Sequence, residues 1–246
     1  MLSGTGSTLA EWDPALLRLL ARGNRLVLLD YPGAGLSGPW RGPRTFDGLA
    51  DSVAGFMAAS GLERANVLGW SMGGFVAQRL AIDHPGRVTS LVLAGTNPGG
   101  VRSVLGSPRA QQVDSDPDPL LAAILGELYP PQRRREGRRF LGRLVRATGS
   151  GEIPDDFQVA SATVAAQVAA EGPWLRSNLN YRQLAGLRIP VLAAAGRSDR
   201  VVAPVNLRRI AARVPGARLH IFAGAHAFLF QERRAFTRVV SRFLGS

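Results

Sequence analysis

Neither cysteine nor lysine occurs among the 246 residues of this chain. Without cysteine there is no disulfide framework, no thiol nucleophile and no thiolate metal site. Histidine is scarce as well: His84, His220 and His226 are the only three. So few imidazoles argue against a histidine-rich metal site. No apolar run has the length that crosses a bilayer, and the front carries no basic-plus-apolar leader. A soluble, cytoplasmic protein without membrane partners is expected. The missing lysine bears on charge, because all 30 basic residues are arginine and the net charge is +12. A nucleic-acid footprint needs basic residues clustered on one face, beside aromatics or a recognisable module. Here the arginines are scattered along the whole chain, so nucleic acid is not an expected partner. Solubility and attraction of anionic solutes are the expected effects.

What is present is enough apolar material for a core, 46% of residues. Arg25–Tyr31, Ala65–Gly69, Val88–Gly95, Arg188–Ala195 and Arg218–Phe222 read as strands. Most are continuous apolar runs rather than alternating ones, as in a parallel sheet covered on both faces. Helical patterns lie between them at Glu11–Ala21, Phe46–Ser60, Ser71–Asp83, Pro204–Val214 and Phe228–Leu244. This alternation predicts an α/β fold, a mostly parallel, doubly wound sheet flanked by helices. The rhythm breaks from Asn97 to Gly186, where four helix-like segments follow one another: Pro119–Tyr129, Gln132–Ala147, Pro154–Ala170 and Pro173–Leu184. A helical insertion between two sheet strands is expected there. Its arginine-rich run Arg133–Arg139 reads as a solvated helix face, with steering of an anionic substrate as the competing role.

One stretch carries chemistry. In Gly69-Trp70-Ser71-Met72-Gly73 a serine stands where a strand turns into a helix. A nucleophile that must clear the sheet needs a very tight turn, and flanking side chains would collide unless they are glycine. The helix behind it aims its first amides at developing negative charge, and the Met72 N–H is placed to donate to an oxyanion. The competing role for Ser71 is a helix cap. A serine nucleophile needs a base. His84 ends the helix that starts at Ser71, and His220 lies inside the last strand. His226 follows that strand, at the carboxyl edge that Ser71 also occupies. Asp199, in the loop after the fourth strand, can orient His226, and capping of the next helix is its alternative role. Asp30 precedes Tyr31-Pro32-Gly33 and reads as a structural turn residue.

The resulting order, Ser71, Asp199, His226, resembles that of the α/β-hydrolase superfamily. The resemblance covers essentially the whole chain. Asp30-Tyr-Pro-Gly-Ala-Gly-Leu-Ser37 is similar to that family's Asp-x-Pro-Gly-x-Gly-x-Ser loop. Gly196–Asp199 with Pro204 resembles its acid loop, and Phe222–His226 its histidine loop, except that Ala225 stands where the family usually has glycine. The resemblance implies an α/β-hydrolase core over residues 1–96 and 187–246 and a helical cap over 97–186. It further implies a serine hydrolase site for a small-molecule substrate, with no metal or organic cofactor. Met1–Thr8 resembles the family's oxyanion loop, with Ser3 at the usual histidine position and the Thr5 N–H as second oxyanion donor. The strands that precede this loop in the family do not occur here, through a start assigned late or a truncation. Thr5 is accordingly expected to be weakly held, and the chain as written less stable and less active than one with those strands restored. Trp70 and Trp174 are the candidate substrate contacts. Leu175, Phe157 and Tyr129 are further apolar candidates, and core packing is the competing role of each. The expected chemistry is hydrolysis of an ester, thioester or lactone through an acyl-enzyme. Carbon–carbon bond hydrolysis, perhydrolysis or a lyase step on the same site is the alternative, and an inactive paralogue or binding protein the second.

Overall fold

The structure, a computed structural model, describes residues 1–116 and 121–245. Four strands form one parallel sheet in sequential order: β1 Ala65–Trp70, β2 Val88–Ala94, β3 Val191–Gly196 and β4 Arg218–Phe222. Every strand therefore points its carboxyl end to the same edge. Side chains alternate between two cores, as the pleat requires. Val67, Leu91, Leu93, Val191 and Ala193 face one cluster, and Leu68, Trp70, Val92, Ala94 and Leu192 the other. The first is covered by α2 (Phe46–Ala59), α3 (Met72–Asp83) and α9 (Val205–Arg213). The second is covered by α1 (Pro14–Leu20), α10 (Phe228–Gln231) and α11 (Arg233–Leu244). Burial on both faces explains why the strands read as continuous apolar runs.

The strand predicted over Arg25–Tyr31 does not form. Leu29 packs on one core and Leu26 and Leu28 on the other, so the alternation is present. A ladder is not, because the backbone beside it contributes little pairing. Residue 2 makes a single parallel bridge to Gly69, and the Met1 amino group donates to the Val27 carbonyl at 2.7 Å. The bridge is to β1, so among the described residues it adds no ladder contact to 25–31, and a strand needs such a partner.

Between β2 and β3 the described residues are helical, with no strand. The elements are α4 (Pro108–Ser115), α5 (Leu121–Leu128), α6 (Arg134–Gly149), α7 (Ser161–Arg176) and α8 (Leu179–Gln183). Two details differ from the sequence reading. An additional helix, α4, is capped by Ser107, whose side chain accepts from the Ala110 N–H. The helix expected from Pro154 begins only at Ser161 and runs through Pro173. The first residues of the segment predicted from Pro119 lie outside the described residues. No helix among the described residues is long and apolar enough to cross a membrane.

Candidate active site

At the carboxyl end of β1 the chain turns on Ser71, with φ 56° and ψ −125°. It is the only non-glycine residue at positive φ among those described. Such a conformation costs on the order of 1–3 kcal/mol and persists only where its surroundings enforce it. The surroundings are close. A Cβ at Gly69 would press on the Gly73 carbonyl, with its carbon at 2.6 Å and Ala77 Cβ at 2.8 Å. A Cβ at Gly73 would run into the backbone of Leu2 and Ser3. The Ser71 N–H donates to the Ala94 carbonyl at 3.0 Å, tying the turn to the end of β2. Ser71 makes no side-chain capping bond to its helix.

The next residue after Ala94 links this turn to the other loops. Gly95 abuts the His226 ring: a Cβ there would lie 3.2 Å from Cε1 and 3.3 Å from Nδ1. His226 is buried in the loop after β4, and its Nδ1 lies 2.8 Å from Asp199 Oδ2. Asp199 is buried too, and its other oxygen accepts from the Val201 and Val202 amides at 2.9 and 2.8 Å. The carboxylate is thus held by its own loop and aimed at the imidazole, and α9 begins beyond it at Val205. The two loops are stitched by Arg197 N–H to Phe222 O at 2.7 Å and Ser198 N–H to Gly224 O at 3.0 Å. Ala225, the departure from the glycine pattern, is buried and not at positive φ, so its methyl is accommodated.

The remaining titratable candidates sit elsewhere. His84 ends α3 and pairs with Asp51 at 2.7 Å, and the His220 ring lies tilted against Phe222 with centroids 4.4 Å apart. Asp30 accepts from the Leu9 N–H at 2.6 Å, and its carbonyl accepts from the Ser37 hydroxyl at 2.8 Å, a turn role. Burial pushes its carboxyl above the usual carboxylate range. Burial does the same to Glu11, up to about 7, although the Thr8 N–H donates to it. Arg133 is more than a solvated face: it bonds Glu136 and Glu232 and donates to the Ala223 carbonyl at 2.9 Å, bracing the histidine loop. Arg134, Arg135, Arg138 and Arg139 are exposed.

A cavity of about 380 Å³ opens at Ser71. Phe75, Val168, Leu175, Val201 and Val202 line it, with Glu171 as its one charged side chain among the described residues. The two tryptophans expected at the substrate do not line it. The Trp70 indole packs on Trp12 and Phe230 and lies 5.4 Å from the His226 ring, and its Nε1 donates to the His226 carbonyl at 3.1 Å. Its place is behind the histidine. Trp174 packs on Phe46 and Phe75 and donates to Asn97 Oδ1 at 2.8 Å. Period-2 geometry sends Trp70 to the face opposite the cavity, which residue-type reasoning about neighbours of Ser71 does not register. Of the other apolar candidates only Leu175 lines the cavity: Tyr129 packs on Phe140, and Phe157 is exposed. Gly4 stands beside Ser71, since a Cβ there would lie 3.3 Å from Ser71 Cβ. Neither the Thr5 N–H nor the Met72 N–H has a protein acceptor among the described residues.

Residues 1–233 match the model of a family described as the alpha/beta hydrolase fold. The chain belongs to this family. A pimeloyl-[acyl-carrier protein] methyl ester esterase of Aeromonas hydrophila subsp. hydrophila is 28% identical over 257 residues, covering 100% of this chain and 94% of that protein. A 2-hydroxy-6-oxononadienedioate/2-hydroxy-6-oxononatrienedioate hydrolase of Pseudomonas putida is 31% identical over 261 residues, covering 99% and 86%. Among solved structures, a hydrolase from Pseudomonas aeruginosa PA01 superposes with a TM-score of 0.78 at 30% identity, covering 100% of this chain and 88% of that one. All three bear esterase or hydrolase names, which supports a hydrolase for this member of the alpha/beta hydrolase fold.

Proposed function

We propose that the chain is a serine-dependent hydrolase of ester, thioester or lactone bonds in a small molecule. Ser71 is the nucleophile, His226 the base and Asp199 the orienting acid. The observation that carries this reading is the buried His226 Nδ1–Asp199 Oδ2 bond of 2.8 Å at the sheet edge that also carries Ser71, the one non-glycine residue at positive φ among those described. With Nδ1 committed to the carboxylate, Nε2 is the nitrogen left to take the Ser71 proton. Ser71 Oγ attacks the carbonyl carbon, and the oxyanion is held by the free N–H groups of Met72 and Thr5. His226 hands its proton to the leaving alcohol or thiol. Water, deprotonated by His226, then attacks the acyl-enzyme and Ser71 leaves with the returned proton. No step calls for a cofactor. The helical segment 97–186 acts as a cap that supplies one wall of the cavity, whose size suits a small substrate. Similarity to the Pseudomonas putida hydrolase favours one second reading, carbon–carbon bond hydrolysis by the same residues.

The test is a fluorophosphonate with intact-mass readout on the wild-type chain and Ser71→Ala. One adduct on the wild type, absent from the variant, is expected. No adduct on folded wild-type protein refutes the triad. If an adduct forms, an ester panel beside a vinylogous 1,5-dione distinguishes the two reactions.

A further inference from the structure

We infer that Gln167, on α7, is a positioning residue that holds the oxyanion loop in register with Ser71. This rests on the serine-hydrolase reading above. An oxyanion donor works only if it is in place before charge develops. Sheet pairing secures the front of the chain at one residue: the Leu2 N–H donates to Leu68 O at 2.8 Å and the Trp70 N–H to Leu2 O at 3.1 Å. After that the loop 3–8 leaves the sheet, and Thr5 lies three residues beyond the last ladder contact.

The anchor next to Thr5 comes from far away in the sequence. The Gly6 N–H donates to Gln167 Oε1 at 2.8 Å, across 161 residues. Gln167 is fully buried. Val164, one turn earlier on α7, lies close enough to Gly6 that a Cβ there would touch its methyls at 3.6 and 3.7 Å. A second anchor from the same insertion follows, the Thr8 hydroxyl donating to Asp156 O at 2.8 Å. The bond from Gly6 dictates which way the Gln167 amide faces, because a backbone N–H needs the oxygen. Its Nε2 is then buried with no partner among the described residues. A leucine or methionine would fill the same space without stranding a donor. Glutamine in this place is explained by its one satisfied contact, the grip on Gly6.

Two further residues of α7, Val168 and Glu171, and Leu175 beyond them, line the cavity at Ser71. The same helix therefore forms a substrate wall and sets the loop that carries Thr5. Displacement of α7 would disturb turnover through the oxyanion donor as well as through substrate contacts.

The experiment compares wild type, Gln167→Leu and Gln167→Glu. Glutamate keeps a carbonyl oxygen for Gly6 in either protonation state; leucine keeps only the volume. The readouts are kcat and KM on p-nitrophenyl butyrate, Ser71 labelling by a fluorophosphonate, and amide hydrogen exchange of the peptide covering residues 3–8. In Gln167→Leu, kcat and the labelling rate should fall by about 10- to 100-fold, less than the loss of a whole donor. KM should stay within about threefold, and exchange in the loop should quicken by about tenfold or more. Gln167→Glu should restore all three to within about fivefold of wild type. Unchanged kcat and unchanged exchange in folded Gln167→Leu overturn the inference. So does an equal loss in both variants, or a rise in KM matching the fall in kcat, since either marks a packing role. If wild type is neither labelled nor active, the hydrolase reading fails, and loop exchange alone still decides whether Gln167 holds Gly6.

Discussion

Gly73→Ala should disable this protein in two ways at once, and the structure gives the size of each. Gly73 opens the second turn position behind Ser71, with the front of the chain laid across it. An added Cβ would lie 2.6 Å from Leu2 C and from Ser3 O, and nearer still to the Leu2 carbonyl oxygen. Real Cβ contacts stay above 3.0 Å, so these backbone atoms must retreat by at least 0.4 Å. No flexible side chain is available to yield. The retreat strains two bonds, Leu2 N–H to Leu68 O and Trp70 N–H to Leu2 O. Each is worth about 0.5–1.5 kcal/mol. Overpacking adds about 1–3 kcal/mol. Together they predict a loss of about 2–6 kcal/mol, a fall in Tm of roughly 4–24 °C for a chain of this length. The same retreat moves Ser3 to Thr5 away from Ser71, and loss of a single oxyanion donor slows turnover by about 100- to 1,000-fold. Thermal unfolding followed by circular dichroism reads the first effect, and the rate of fluorophosphonate labelling on protein held well below its Tm reads the second. A variant with wild-type Tm and wild-type labelling rate would refute the claim that Gly73 is required by the approach of residues 2 and 3.

Asp199→Asn should leave the fold intact, because an amide oxygen can still accept from Val201 and Val202, while its NH2 meets His226 Nδ1 and imposes the wrong tautomer; kcat should fall by about 10⁴-fold with little change in Tm. Near-normal turnover in that variant would remove Asp199 from the triad. Glu11 gives a pH prediction. Its carboxyl is raised from 4.5 to about 7 by burial, so the folded chain holds the proton more tightly than the unfolded chain. Stability is then fully present below about 4.5 and declines as pH rises to about 7, by up to about 3 kcal/mol. Glu11→Gln, which keeps an acceptor for Thr8, should show a smaller drop in urea midpoint between pH 5 and pH 8 than wild type; equal drops would contradict the assignment.

The elbow was legible because its causes are local. Gly69, Ser71 and Gly73 sit within five residues, and the apolar run before and amphipathic run after them announce a strand and a helix. The loops carrying Asp199 and His226 were legible for a related reason: each follows a strand of a parallel sheet, and parallel strands all end at one edge. The failures share the opposite property. Arg25–Tyr31 has the residues of a strand, but a strand also needs a neighbour, and among the described residues no ladder pairs with it. Trp70 adjoins Ser71 in sequence and faces away from the cavity, because successive side chains on a strand leave from opposite faces. Trp174 is drawn into the core by Phe46, Phe75 and Asn97, none of them near it in the chain.

By itself, then, the sequence determined the fold class, the turn at Ser71 and the order of Ser71, Asp199 and His226, all of which follow from short-range periodicity and from glycine and proline punctuation. Only the tertiary structure decided which side chains meet the cavity, that the Asp199 carboxylate is held by Val201 and Val202 while it faces His226, and that Gln167 reaches the loop of Thr5. Those contacts join residues up to 161 positions apart. Which distant partner a buried polar group finds depends on how the layers stack, and that has no local signature.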